Sequence, residues 1–206
     1  MSRRDPHSFA DLDQGRVKHM NITLDVDFGT SRITGSAVYT LAVSSAQCQD
    51  GQKLTNTGFE NGGTGWTAPA GVIGEHAQWP AHSGSADAVQ GGVGKTASGS
   101  LSQQVSLPDG CAQYTLDFWL QVDTDESSNG PWDTLKVQVL NATGTSLLGT
   151  LATYDNTDGY SAPGYFQRSL DLSAYAGQDI TLRFRYAEDW IWQTTFVLDD
   201  ITLNVV

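Results

Sequence analysis

The sequence is short of positive charge. Only 11 Lys and Arg stand against 23 Asp and Glu in 206 residues, leaving a formal net charge of −12 and a pI near 4.4. Such a surface repels phosphate backbones, which excludes a nucleic-acid partner. No apolar run approaches the roughly 18 residues that a membrane-spanning helix needs, so no membrane partner is expected. The opening residues, MSRRDPHSFADLDQG, hold no apolar stretch that would serve as a secretion signal. Helical periodicity is missing as well, since no segment keeps a 3.6-residue apolar repeat beyond one turn. Cysteine is reduced to Cys48 and Cys111. A bridge between them closes a loop of about 63 residues and contributes about 4 kcal/mol in the chain-entropy model. Two buried free thiols are the alternative. An extracellular location favours the bridge, and the composition suits one. Charged residues are 17% and aromatics 10%, which excludes disorder over most of the length.

What is present is alternation. In residues 17–28 (VKHMNITLDVDF), Met20, Ile22, Leu24, Val26 and Phe28 fall on one face and polar residues on the other. That period of two predicts a half-buried strand. Residues 33–43 predict its antiparallel partner, and 44–54 read as a connector. From Thr55 onward Gly, Asn and Pro punctuate short strands. The clearest is 114–122 (YTLDFWLQV), with Tyr114, Leu116, Phe118, Leu120 and Val122 on one side and Thr115, Asp117, Trp119 and Gln121 on the other. Residues 101–107, 134–140, 147–154, 165–170, 180–186 and 196–205 follow the same rule, with weaker candidates at 72–79 and 86–90. About ten short strands between turns predict an all-β sandwich.

Two resemblances refine this. Residues 5–42, from DPHSFADLDQG to AVYTLA, are similar to the start of zinc aminopeptidases related to leukotriene A hydrolase and aminopeptidase N. That likeness implies a strand hairpin and nothing catalytic. The peptidase HExxH helix is absent, and neither His76 nor His82 has a partner four residues on. Residues 55–206 resemble the jelly-roll modules appended to secreted bacterial proteases and glycosidases, similar to carbohydrate-binding modules of families 4, 9 and 22. The carrying segments are NTGFE (56–60) with Trp66, AHSGS (81–85), LSQQV (101–105), YTLDFWLQVD (114–123), DTLKVQV (133–139), LSAYAGQ (172–178) and FVLDDI (196–201). The implied fold is a galactose-binding-like jelly-roll β-sandwich over 55–206, preceded by a hairpin extension and connector over 1–54. The resemblance also implies one structural Ca²⁺ where NTGFE meets FVLDDI, held by Glu60 and Asp199 or Asp200. Alternatively, Glu60 caps a turn and the Asp pair is solvated.

A glycan cleft is expected where aromatic, amide, carboxylate and guanidinium groups share a face. A ring stacks on the apolar side of a sugar while polar groups take its hydroxyls. Asp117, Trp119 and Gln121 offer this, with Lys136, Gln138, Arg183 and Arg185 from neighbouring strands. The segment EDWIW (188–192) places Trp190 and Trp192 in an acidic loop, a second sticky surface. GGVGKT (91–96) looks like part of a phosphate loop, but a strand-like segment follows it where a helix is required. Paired carboxylates are available at Glu188 with Asp189, or among Asp123, Asp125 and Glu126, yet nothing in the sequence fixes a separation. The expectation is a non-enzymatic carbohydrate-binding or accessory module of a secreted bacterial hydrolase. Its partner would be a polysaccharide or the parent enzyme's catalytic domain. The alternatives are a protease-associated protein-interaction domain without sugar affinity, and a small hydrolase using the acidic loops.

Overall fold

A computed structural model describes residues 16–42, 48–127 and 130–206. The DPHS lead lies outside the described residues. The chain divides into Met1–Gln47 and Cys48–Val206.

In the first unit, β1 (Arg16–Asp27) pairs antiparallel with β2 (Arg32–Ala42) as a two-stranded sheet of its own. The Asp27 carboxylate accepts from the Gly29 and Thr30 amides and closes the turn. The hairpin expected from alternation is there. The burial of its apolar side is not: Met20, Ile22, Leu24, Val26, Ile33 and Val38 are all exposed.

The second unit is the sandwich. Its strands are β3 (Gly51–Gln52), β4 (Ile73–Gly74), β5 (Asp87–Gly91), β6 (Ala97–Ser106), β7 (Tyr114–Thr124), β8 (Thr134–Asn141), β9 (Leu147–Asp155), β10 (Phe166–Asp171), β11 (Asp179–Glu188) and β12 (Thr194–Val205). A short α-helix, α1 (Asn156–Ser161), is closed by an Asp155 capping box. One sheet runs β10-β7-β12-β5-β4, with β3 also on β12; the other runs β6-β11-β8-β9. Every pairing is antiparallel.

The two inner faces meet in one core. Leu116, Phe118 and Leu120 of β7 and Phe196 and Leu198 of β12 face Leu135, Val137 and Val139 of β8 and Ile180, Leu182 and Phe184 of β11. Phe118 and Phe184 meet edge to face at 5.2 Å, a ring contact across the layers. In β12 a bulge between Asp199 and Thr202 resets the alternation. Ile201, Leu203 and Val205 therefore point inward again, as Phe196 and Leu198 do.

Cys48 and Cys111 are disulfide-bonded. With Leu54 in the core and β3 on β12, the bridge makes residues 48–54 part of the sandwich. The boundary thus falls at Cys48, before the Thr55 expected from the change in sequence texture.

Candidate functional site

The outer face of the four-stranded sheet is built by strict alternation. Leu101, Gln103 and Val105 of β6 point inward, so Ser100, Ser102 and Gln104 point out. The same rule turns Arg183 and Arg185 of β11, and Lys136 and Gln138 of β8, to the outside. The register aligns them in rows across the sheet. Ser102, Arg183, Gln138 and Thr150 form one row; Ser100, Arg185, Lys136 and Thr153 form the next.

The central row is fixed. Arg183 donates to Gln138 Oε1 through Nε at 3.1 Å and Nη2 at 2.8 Å. Burial, and then the neighbouring Arg185, holds the Arg183 guanidinium below its ordinary pKa. It remains a cation, with donors left over for a ligand. Beside it opens a cleft of about 640 Å³, lined by Lys53, Thr55, Thr67, Ser102, Gln104 and Arg183. Thr67 is held there by a backbone bridge to Ser102, and Thr55 by the Gln103 amide.

Charge on this unit is segregated. The sequence from Cys48 to Val206 has six Lys and Arg against eighteen Asp and Glu. Lys136, Arg183 and Arg185 lie on this one face and Lys53 at its rim. Arg185 and Lys136 are directly opposite one another, an arrangement that costs stability. Among the described residues the carboxylates within ion-pair distance of a basic side chain are Asp87, beside His76, and Asp200, beside His82, so none neutralises these cations.

Asp117, Trp119 and Gln121 do not join them. They lie on β7, in the other sheet, and point out on the opposite side of the sandwich. The expectation of one shared face is therefore corrected. Alternation tells inside from outside, but both sheets have an outside. Trp119 is half-buried beneath His82, whose ring stacks on the indole at 3.9 Å and 16°. Tyr165 packs edge-on against that imidazole at 5.4 Å. This face is acidic, carrying Asp87, Asp117, Asp123 and Asp199 on β5, β7 and β12. Trp190 and Trp192 sit in the turn between β11 and β12, 74% and 52% exposed.

The expected calcium ligands are brought to one loop but not to one point. Glu60 accepts from the Ser85 and Ala86 amides, both at 2.9 Å, and these bonds hold its pKa below the usual value. A Cβ on Gly84 would stand 2.2 Å from Glu60 Oε1, and the backbone there has φ of +65°, so this position requires glycine. Asp199 is fully buried and accepts from Ser83 N and Asp200 N. Burial pushes its carboxyl up to about 6. Asp200 accepts from Ser83 Oγ and contacts His82 Nδ1 at 2.7 Å. The atoms that converge are those of His82, Asp199 and Asp200; Glu60 stands apart and caps a turn.

The phosphate-loop look-alike is a turn between β5 and β6, and its amides are occupied from within. Glu188 accepts from Val93, Gly94 and Thr194. Glu188 is thereby a structural carboxylate, buried and raised in pKa, with no free partner role beside Asp189. Asp123 accepts from Trp79 Nε1 and Asp125 from Gln193 Nε2, while Glu126 lies with Asp133 and Asp189 instead. Lys53, Thr55, Thr67, Ser102 and Gln104 were not anticipated. The only signal for the last two was the small polar alternation of ASGSLSQQVS, and for the first three there was none, because their placement rests on contacts from distant loops.

Solved structures share this fold. The chain is similar to a family 61 carbohydrate-binding module in complex with β-1,4-galactotriose, with 18% identity and a TM-score of 0.54, covering 74% of this chain and 97% of that one. It is similar to a module from work on promiscuous specificity in the β-sandwich superfamily of carbohydrate-binding modules, with 12% identity, a TM-score of 0.50, and coverage of 90% and 73%. It also matches part of an arabinose-bound α-L-arabinofuranosidase, with 9% identity, a TM-score of 0.50, and coverage of 79% and 27%. At these identities the likeness establishes the fold, the jelly-roll sandwich of carbohydrate-binding modules, and leaves the ligand open. No protein-family profile and no curated protein matches the chain.

Proposed function

We propose that the outer face of the four-stranded sheet binds a polysaccharide, and that the chain is a non-catalytic module of a secreted hydrolase. The observation that carries this is the fixed row of Ser102, Arg183 and Gln138 beside the cleft at Lys53 and Thr67. Hydroxyl, amide and guanidinium donors in rows suit the hydroxyls of an extended glycan. The outward residues of these strands carry no aromatic ring among those described, so stacking adds little and charge matters more. Four cations gathered on an acidic protein favour a glycan bearing carboxylates, such as a uronic-acid polymer. The disulfide suits an oxidising compartment and supports an extracellular location.

A structural Ca²⁺ is proposed at Asp199 and Asp200, with Glu60 on the far side of the same loop. The donors are hard oxygens and one is buried, but His82 and the loop amides occupy them in the arrangement described. Binding would therefore need His82 to turn away. A calcium-dependent rise in melting temperature that is lost in Asp199→Asn supports this site, and no rise removes it.

The second reading is a protein-interaction domain docking on a parent enzyme, favoured by exposed Trp190 and Trp192. Affinity-gel electrophoresis separates the two. Retardation in a uronate polymer, lost in Arg183→Ala and kept in Trp119→Ala and Trp190→Ala, is the expected result. No retardation in any charged or neutral polysaccharide, or loss only in Trp190→Ala, overturns the assignment to this face.

A further inference from the structure

At one end of the sandwich three acids meet with no cation paired to them among the described residues. Glu126 follows β7, Asp133 precedes β8 and Asp189 follows β11. One carboxylate oxygen from each lies within 4.8 Å of the others. Their chain positions differ by up to 63 residues, so the fold, not a local run of charge, assembles them.

The surroundings hold these side chains in place. The Asn156 amide accepts from the Trp132 and Asp133 N–H groups at 2.9 and 3.2 Å and donates to the Gly130 carbonyl at 2.9 Å. Asp133 Oδ1 accepts from the Asp189 amide at 2.8 Å, and Asp189 Oδ1 accepts from Ile191 N at 2.9 Å. The Tyr160 hydroxyl donates to the Glu126 carbonyl.

Against this order, two oxygens are left without partners. Glu126 is 6% exposed and Asp133 0%, yet Glu126 Oε1 and Asp133 Oδ2 have no hydrogen-bond partner. Buried carboxylate oxygens are satisfied by a donor or by a metal. Burial, then Asp133 and Asp189, pushes the Glu126 carboxyl up. A cation would relieve all three effects at once.

We propose that Glu126, Asp133 and Asp189 bind a hard divalent cation, Ca²⁺ by the chemistry of an oxygen-only donor set. Three carboxylates supply part of its six to eight oxygens, and water can complete the shell. The ion would join the ends of β7, β8 and β11, and so brace both sheets at that end.

The test is terbium luminescence on the chelator-treated full chain, with calcium competition and isothermal titration. Trp132 and Trp190 adjoin the ligands and can sensitise bound Tb³⁺. Wild type is expected to give Trp-sensitised emission that Ca²⁺ displaces. Glu126→Gln and Asp133→Asn are each expected to lose at least tenfold in affinity or one binding equivalent, while Asp199→Asn/Asp200→Asn keeps this one. Thermal melts show which variants remain folded. If Asp133→Asn does not fold, Glu126→Gln decides, because the oxygen it alters makes no hydrogen bond. The proposal is overturned by three results: no emission or heat in wild type, binding unchanged in Glu126→Gln, or binding lost only in the Asp199 and Asp200 variant. A Glu126→Gln protein that melts higher, with no calcium shift in wild type, would also show a repulsive cluster instead of a site.

Discussion

The two outer faces of the sandwich are made by the same rule and have opposite chemistry. On the six-stranded sheet the indole of Trp119 is covered by His82, that of Trp79 donates to Asp123, and the carboxylates of Asp87, Asp199 and Asp200 are engaged with imidazoles and loop amides. Its polar groups are largely spent on holding the 76–86 segment in place. On the four-stranded sheet Arg183, Arg185 and Lys136 face outward with no carboxylate partner among the described residues, and a cleft adjoins them. Polar groups that satisfy one another stabilise a fold. Polar groups left oriented and unpaired at a surface are available to a ligand, and here they carry the charge that the rest of the unit lacks.

The contrast can be broken in several ways. The largest effect falls on what both faces share. Reducing the disulfide, or Cys111→Ser, is expected to lower unfolding free energy by about 4 kcal/mol in a denaturant titration. It should leave binding intact under conditions where the protein stays folded. Next, Arg183→Ala is expected to weaken binding to a uronate polymer by about 2 kcal/mol, roughly thirtyfold, as read by calorimetry. Its melting temperature should scarcely change. Trp119→Ala is the mirror image: about 1–2 kcal/mol of stability lost with the His82 stack, and an unchanged affinity. Smallest is Arg185→Gln. It removes the repulsion from Lys136 and should raise stability by on the order of 0.5 kcal/mol while lowering glycan affinity at low salt. If Arg183→Ala and Trp119→Ala move stability and binding together, the division of labour between the faces is wrong.

Much of the fold was legible, and the reason is that side-chain direction in a strand is local. The inward set Tyr114, Leu116, Phe118, Leu120 and Val122 can be read from β7 alone, and all five are buried. Sheet membership is not local. β7 pairs with β10 and β12 while β8 pairs with β9 and β11, so adjacent strands in sequence lie in different layers. That is why the pattern alone puts Trp119 and Arg183, both outward, on one face when they lie on two. The stacking of His82 on Trp119 links loops far apart in sequence, and no pattern announces it. Glu60 caps a turn through the Ser85 and Ala86 amides, 25 and 26 residues away, a partnership that the pattern around NTGFE does not specify. The disulfide is not legible in the sequence, since spacing alone does not bring two thiols together.

Hydrogen-exchange footprinting, with and without the polysaccharide that gives the strongest gel retardation, tests the central claim most directly. Protection concentrated at residues 100–104, 136–138 and 181–185, with none at 117–121, is the result expected. Protection at 117–121 and around His82 and Tyr165, with 181–185 unchanged, would contradict it.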